Sequence, residues 1–481
     1  DAWSARPWML EHAQGKLASL AAREGLRPFA MGEAPLARAI CIEDRQGGRA
    51  GLVLTLPHIV FDDASAGLLL DELAAAYRDP ELAAFAGEGP ALFEAMEREE
   101  VFVASPAAAM LVDQAVKRLD GMPAELEMLA LATSDRARTV FEGAAAELAL
   151  DAETVALLAA YVQKHRVTPA AVCLAAWMLL LSRYSGQRDF GVCLPVSHRL
   201  DAQSQGVIGY LTNLAVVRAQ IDPLQALASF IDAVVDKMMD GLEARELPFP
   251  LLVKRMKRLG TNLQGPLSQV AFNYLRESTT APRFDAAEAV RLVVAPPLVK
   301  NQIKLDLTES ADGIRGLLLY DRQGLSAPMA KRMAAGFGVL LSALLRSEAS
   351  TRVGELPGMA RAEEERLRAW NETDRGYERG VGLHELVERQ AHGRPEAVAV
   401  MFEDRRLSYG ELNRWANRLA RQLVDAGAGA ERLVAICAPR SVELVVALLT
   451  ILKSGAGYVA LDPELPQARP ESMLRDRGAV A

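Results

Sequence analysis

Cysteine is scarce in this chain, with four residues (Cys41, Cys173, Cys193 and Cys437) in 481. Their wide spacing offers no metal-ligand or redox pairing, so they read as small apolar residues in a reducing, cytoplasmic compartment. A basic excess is lacking too. The net charge of -8, with no large basic block, argues against a nucleic-acid partner. No apolar run is long enough to span a bilayer. The longest, Ala170 to Leu181, suits a buried helix, and no membrane partner is expected. The first residues lack the basic and apolar regions of a signal peptide. An initiating Met is missing as well: the chain begins at Asp1 and reads as a piece of something longer. There is no internal repeat and no low-complexity tract.

What is present suits a folded protein of more than one domain. Charged residues make up 24% and hydrophobic ones 51%, and 481 residues exceed one compact core. The most informative stretch is Pro57 to Asp63. A strand-like run, Leu52 to Leu56, gives way to a loop carrying His58, with Asp62 four residues on. Ser65 opens an apolar-periodic stretch through Leu68, Leu69, Leu73 and Ala76 that reads as a helix. A histidine on a strand-to-helix turn, backed by a carboxylate, suits proton transfer near neutral pH. An isolated histidine there could equally be packing at a strand end.

The first 40 residues hold a helical stretch and the segment Arg27 to Ala30. Residues 80–150 are Ala-rich, acidic and mostly helical in pattern. Asp151 caps a predicted helix, and Thr168-Pro169 starts another that is apolar nearly all round and ends at Gly186. Strands are predicted over Phe190 to Val196, Leu214 to Val217, Gln269 to Tyr274, Ile303 to Leu307 and Gly316 to Tyr320, with a closing helix from Pro328 to Leu345. Residues 346–380, polar and punctuated by Gly and Pro, read as a linker. Beyond them come a strand from Val398 to Phe402, a hairpin turn at Glu403 to Arg406, and a capping box at Ser408 and Glu411 that opens a helix. Strand Leu433 to Cys437, helix Val442 to Lys453 and strand Gly457 to Leu461 follow. That alternation implies an α/β sheet.

Several separated segments resemble motifs of nonribosomal peptide synthetase condensation domains, in the family's order. Pro57 to Asp63 resembles His-His-x-x-x-Asp-Gly, with Pro57 at the first His and Asp63 at the Gly. Leu180 to Asp189 is similar to the exit of the family's buried helix. Leu194 to Arg199 resembles xPVxxR, Ile208 to Leu214 resembles IGxFVNTL, Arg245 to Phe249 resembles HQDxPFE, and Pro266 to Asn273 resembles PLFQVMF. The second part is similar to the opening of an adenylation domain: Leu407 to Asn413 matches LTYxELN and Leu452 to Pro463 matches LKAGxAYVPLDP. Leu356-Pro357 and Trp370-Asn371 resemble the linker between the two. The family's RHExLRT segment, and the phosphate-binding loop that would follow Ala481, are not in the sequence.

The resemblance implies an α/β fold: a two-lobed, chloramphenicol-acetyltransferase-like condensation domain over 1–345, a linker over 346–380 and an N-terminal adenylation fragment over 381–481. It implies amide-bond formation between a donor acyl thioester and the amine of an acceptor aminoacyl thioester. Both would be tethered to phosphopantetheine arms of upstream and downstream peptidyl carrier domains. ATP and Mg would serve only the complete adenylation domain, whose remainder is a further partner. No metal is implied for condensation, and the isolated fragment could be inactive.

His58 would accept a proton from the attacking amine or hold it by a hydrogen bond. Asp62 is expected in a structural ion pair with Arg199, in a cap on the following helix, or in both. Asn213 and Asn273 would line a substrate tunnel or bond to local backbone. Pro57 and Asp63 are expected to tune the site. Other readings are a heterocyclisation variant (Asp62 and Ser65 fit, Pro57 does not), an epimerisation domain (disfavoured by the adenylation start that follows), a non-catalytic carrier-docking scaffold, and a stand-alone acyltransferase.

Overall fold

The computed structural model describes residues 13–44, 49–79, 91–123, 125–128, 141–259, 267–277, 284, 298–359, 361–464, 466 and 468–477. It divides into two compact units, with the boundary between Ala369 and Trp370.

The first unit opens with α1 (Ala13–Leu26) and an antiparallel hairpin of β1 (Arg38–Asp44) and β2 (Arg49–Thr55). A single 3-10 turn, His58–Val60, leads into α2 (Asp63–Arg78), then α3 (Ala91–Val103) and α4 (Pro106–Leu119). Next come β3 (Phe141–Ala149), α5 (Ala152–His165), α6 (Pro169–Ser185), β4 (Asp189–Ser197), α7 (Ala202–Gln205), β5 (Thr212–Gln220), α8 (Leu227–Glu243) and α9 (Phe249–Arg258). The unit closes with β6 (Val270–Arg276), β7 (Leu298–Val299), β8 (Ile303–Ser310), β9 (Gly313–Asp321) and α10 (Ala327–Arg346).

A mixed seven-stranded sheet in the order β5-β4-β6-β8-β9-β3-β7 organises the unit. Only the β4/β6 and β6/β8 pairs are parallel. One face carries the main core: Phe190, Val192, Phe272, Leu305, Leu307 and Leu318 pack under α5, α6, α8 and α10. α6 explains why its sequence shows no polar stripe, for every residue from Ala171 to Leu181 is buried. Thr168 caps it through Ala171 N, Pro169 fits the first turn, and Gly186, at φ 74°, ends it in a left-handed conformation that glycine adopts freely. A smaller cluster on the other face joins α4, α9 and β5 through Ala115, Leu119, Val216, Leu252 and Met256.

α10 is the one helix among the described residues that is long and apolar enough to cross a membrane. It buries Met333, Phe337, Leu340, Leu341 and Leu344 in the main core.

Three strands depart from the sequence reading: β3, β1 and the two-residue β7. β3 lies where 80–150 reads as helical. Its Ala144 to Ala146 run has little intrinsic strand preference, but pairing with β9 decides the matter. The small side chains let α10 pack across it, and Ala146 is buried. β1 has no strong signal of its own and is fixed by its register with β2. Much of 80–140 lies outside the described residues.

Residues 348–357, inside the stretch that reads as a linker, are pinned to the first unit. Leu227 N donates to Thr351 O (2.8 Å), and Val353 N to Gln225 O (3.0 Å). Val353 and Leu356 enter the main core. The Arg183 guanidinium donates to the carbonyls of Leu356 and Pro357, both at 2.6 Å. α11 (Arg361–Asn371) follows.

In the second unit α12 (Leu383–Gly393) precedes a hairpin of β10 (Val398–Phe402) and β11 (Arg405–Ser408). The turn is shorter than the sequence reading, with Glu403 at φ 51° and pairing resumed at Arg405. The Ser408–Glu411 capping box opens α13 (Tyr409–Asp425) as expected. β12 (Leu433–Cys437), α14 (Val442–Lys453) and β13 (Gly457–Leu461) form a strand-helix-strand unit, its two strands parallel, with Leu433 opposite Gly457 and Cys437 opposite Leu461. α15 (Ala468–Arg477) is the last element. Leu412, Ala416, Val442, Val446 and Leu449 join α13 to α14.

Candidate active site

His58 sits at the start of the 3-10 turn between β2 and α2, with Pro57 extended before it (φ -70°, ψ 139°). The ring is exposed. Its Nδ1 lies 2.7 Å from Phe61 O. A carbonyl oxygen only accepts, so Nδ1 carries the proton, and the neutral ring keeps its lone pair on Nε2. The Tyr210 ring meets the imidazole edge-on, with centroids 4.9 Å apart and planes at 81°.

Asp62 anchors the turn. As N-cap of α2 it accepts from Ser65 N at 2.9 Å, so the helix begins at Asp63, ahead of the Ser65 start read from sequence. The same carboxylate pairs with Arg199 in bidentate fashion, Nη1 to Oδ2 at 2.6 Å and Nη2 to Oδ1 at 2.9 Å. The alternatives of cap and ion pair thus coexist in one side chain. Leu211 N (3.0 Å) and Thr212 Oγ1 (3.2 Å) donate to Oδ2 as well. The paired side chains are nearly inaccessible, Arg199 at 2% and Asp62 at 1%.

Burial alone would raise the Asp62 carboxyl. The hydrogen bonds from Arg199, Ser65 and Leu211 together outweigh it and hold the group at about 2. Both carboxylate oxygens are thus answered, the arrangement in which a buried charge is tolerated, whereas the buried Nε of Arg199 has no hydrogen-bond partner among the described residues.

Ser65 is the second member of this node. Its Oγ accepts from Gly209 N (3.0 Å) and Arg199 Nη2 (3.1 Å). Its one proton serves either Asp62 Oδ1 (2.7 Å) or Gly209 O (2.8 Å). The loop before β5 is therefore stitched to the start of α2 at residues 209, 211 and 212. α3 adds contacts nearby: His198 Nδ1 lies 3.4 Å from Glu99 Oε2, and Arg98 pairs with Asp201 at 3.4 Å.

Asn213 and Asn273 are not brought together. The register Thr212↔Ser197, Cys193↔Val216 and Cys193↔Ala271 puts Asn273 on the Thr212 face of the sheet and Asn213 on the opposite one. Asn213 works on backbone. Its Nδ2 donates to Arg245 O (2.8 Å) and Leu247 O (2.6 Å), and its Oδ1 accepts from Leu214 N (2.9 Å) and Phe249 N (3.1 Å). Asn273 is half-buried in the middle of β6, across from Asp306, which pairs with Lys304 at 2.8 Å.

Two contributors are hard to read from sequence. Ser65 stands three residues after Asp62, the spacing of a helix cap, but its bonds to the Gly209 backbone carry no sequence signal. Tyr210 falls at the unspecified position of the Ile208–Leu214 motif. Among the described residues no group of three or more His, Cys, Asp or Glu side chains could hold a metal ion.

With this geometry in hand, comparison with known proteins places the chain. The model of the condensation domain matches residues 8–367, and that of the AMP-binding enzymes matches residues 387–481. The chain belongs to the condensation-domain family and continues into the start of an AMP-binding domain. It is 30% identical over 477 residues to phosphinothricin tripeptide synthetase PhsC of Streptomyces viridochromogenes, covering 96% of this chain and 43% of that protein. It is 29% identical over 477 residues to chondramide synthase cmdD of Chondromyces crocatus, covering 95% of this chain and 12% of that one. The chain thus spans less than half the length of either relative.

Among solved structures, the nonribosomal peptide synthetase FmoA3 aligns with a TM-score of 0.76 at 22% identity, over 100% of this chain and 50% of that one. The first condensation domain of the calcium-dependent antibiotic synthetase, solved with a substrate analogue, aligns at 0.62 and 19% identity, over 74% of this chain and 78% of that one. These likenesses establish the mixed α/β condensation and adenylation fold.

Proposed function

We propose that the first unit forms an amide bond between a donor acyl thioester and the amine of an acceptor aminoacyl thioester. Both would be held on phosphopantetheine arms of carrier domains elsewhere in a cytoplasmic peptide synthetase. The condensation domain would span 1–345, the linker 346–380 and the adenylation fragment 381–481, with ATP and Mg used only once that last domain is complete.

One observation carries the reading: His58 presents a lone pair on Nε2 from an exposed ring whose other nitrogen is tied to Phe61 O. The acceptor nitrogen attacks the thioester carbonyl carbon while Nε2 receives, or holds by hydrogen bond, one of its protons. Collapse of the tetrahedral adduct breaks the C–S bond, and the proton passes to the leaving thiolate. The products are an amide and a free thiol. A thioester is already electrophilic, so holding the partners together does much of the work, up to about 7–11 kcal/mol in favourable intramolecular cases. The proton acceptor adds about 10²–10⁴-fold. Asp62 and Arg199 act structurally, fixing the turn that carries His58. Asn213 holds the turn before α9, and Asn273 stands on the sheet face that the Thr212 end of the site shares.

The test is His58→Ala in the complete synthetase with both carriers loaded, with product followed by mass spectrometry. Loss of product by about 10²-fold or more is expected. Undiminished product would reduce the domain to a scaffold that docks carriers without chemistry, the role that Pro57 at the first motif position would fit.

A further inference from the structure

Pro57, immediately before His58, offers no side-chain donor or acceptor to the turn. The imidazole is exposed, so bulk packing does not fix its rotation. Phe61 O engages only Nδ1. A single hydrogen bond still allows the ring to swing about that contact, and it competes with water.

Tyr210 closes this gap. Its ring stands perpendicular to the imidazole at 4.9 Å, an edge-to-face geometry with a preferred direction that an aliphatic side chain lacks. Its backbone is held on both sides. Gly209 on one side donates through N to Ser65 Oγ, and Leu211 on the other donates to Asp62 Oδ2. The Asp62–Ser65–Arg199 node that fixes the His58 turn therefore also fixes the residue touching its ring.

We propose that Tyr210 is a positioning residue for His58: it holds the imidazole in the rotation that keeps Nδ1–H on Phe61 O and Nε2 presented to the reacting amine. This deepens the reading of His58 as proton acceptor and rests on it. The aromatic ring does the positioning, and the hydroxyl is not required. Burial first, and then the Asp62 charge, push the Tyr210 phenol up from its ordinary value, so His58 faces a neutral ring at physiological pH.

The experiment pairs Tyr210→Phe with Tyr210→Ala. The chain has six histidines, and their ¹⁵N shifts, assigned by His58→Ala, report which ring nitrogen holds the proton. Wild type and Tyr210→Phe should show His58 as the Nδ1–H tautomer, and Tyr210→Ala should show a mixture. In the complete synthetase, Tyr210→Ala should lower kcat on the order of 10- to 100-fold with KM changed little, while Tyr210→Phe stays within about threefold of wild type. An unchanged tautomer in Tyr210→Ala overturns the inference, and so does an equal loss in the Phe variant. If His58→Ala keeps full activity, the proton-acceptor reading itself fails. The tautomer measurement does not depend on turnover, so the two failures are distinguishable.

Discussion

Replacing Arg199 with Met isolates the energetics of the node. In the native protein the Asp62 carboxyl sits at about 2 against an ordinary 3.8. That depression is worth roughly 2 kcal/mol, by 1.36 kcal/mol per pKa unit. Because the folded value is the lower one, this stability is present above about pH 4 and is lost as pH falls toward 2. Arg199→Met removes two short bonds to a carboxylate whose side chain is 1% exposed. An uncompensated buried charge costs about 3–5 kcal/mol at pH 7.

The acid response should then flatten. Burial, the leading influence on Asp62, is then opposed by the bonds from Ser65 and Leu211, so the carboxyl rises from about 2 toward its ordinary value. The variant therefore loses less stability than the native protein as pH falls from about 4 toward 2. Urea unfolding at pH 7, 4 and 3, followed by circular dichroism, measures both slopes. The double variant Asp62→Leu with Arg199→Met should lose less than the two single losses added together, since no charge is stranded. A loss below about 1 kcal/mol at pH 7, or an Arg199→Met variant with the native acid slope, would refute the reasoning.

Asn213→Ala removes four bonds to backbone between β5 and the turn before α9. At about 0.5–1.5 kcal/mol each it should destabilise by about 2–6 kcal/mol in the same urea assay. Thiol titration with a coloured disulfide should modify Cys41 and Cys437 quickly and the other two only after unfolding. Cys173 and Cys193 are buried, and burial pushes both thiols up, Cys193 to about 12.

The parts of the fold legible in sequence are those decided locally. Asp151, Thr168 and Ser408 each cap a helix through a backbone N–H three residues on, an interaction that sequence spacing states outright. Gly186 and the apolar circumference of α6 are equally direct. β3 escaped because alanine is indifferent to strand or helix until a neighbour decides, and here the neighbours are β9 and α10. At the site, the Asp62 cap is a local signal, whereas its pairing with Arg199 was readable only through family resemblance. The Tyr210 contact had no such guide, since nothing in a run of residues marks an edge-on meeting of two rings so far apart in sequence.

The anchoring of Val353 and Leu356 bears on how such chains can be recombined. A chimera spliced just after α10 would strip two side chains from the interior and strand the Arg183 guanidinium, which burial already disfavours, without the carbonyls it now grips. A junction placed after Pro357 carries that plug along with its socket, and donor sequences chosen for grafting should match at both.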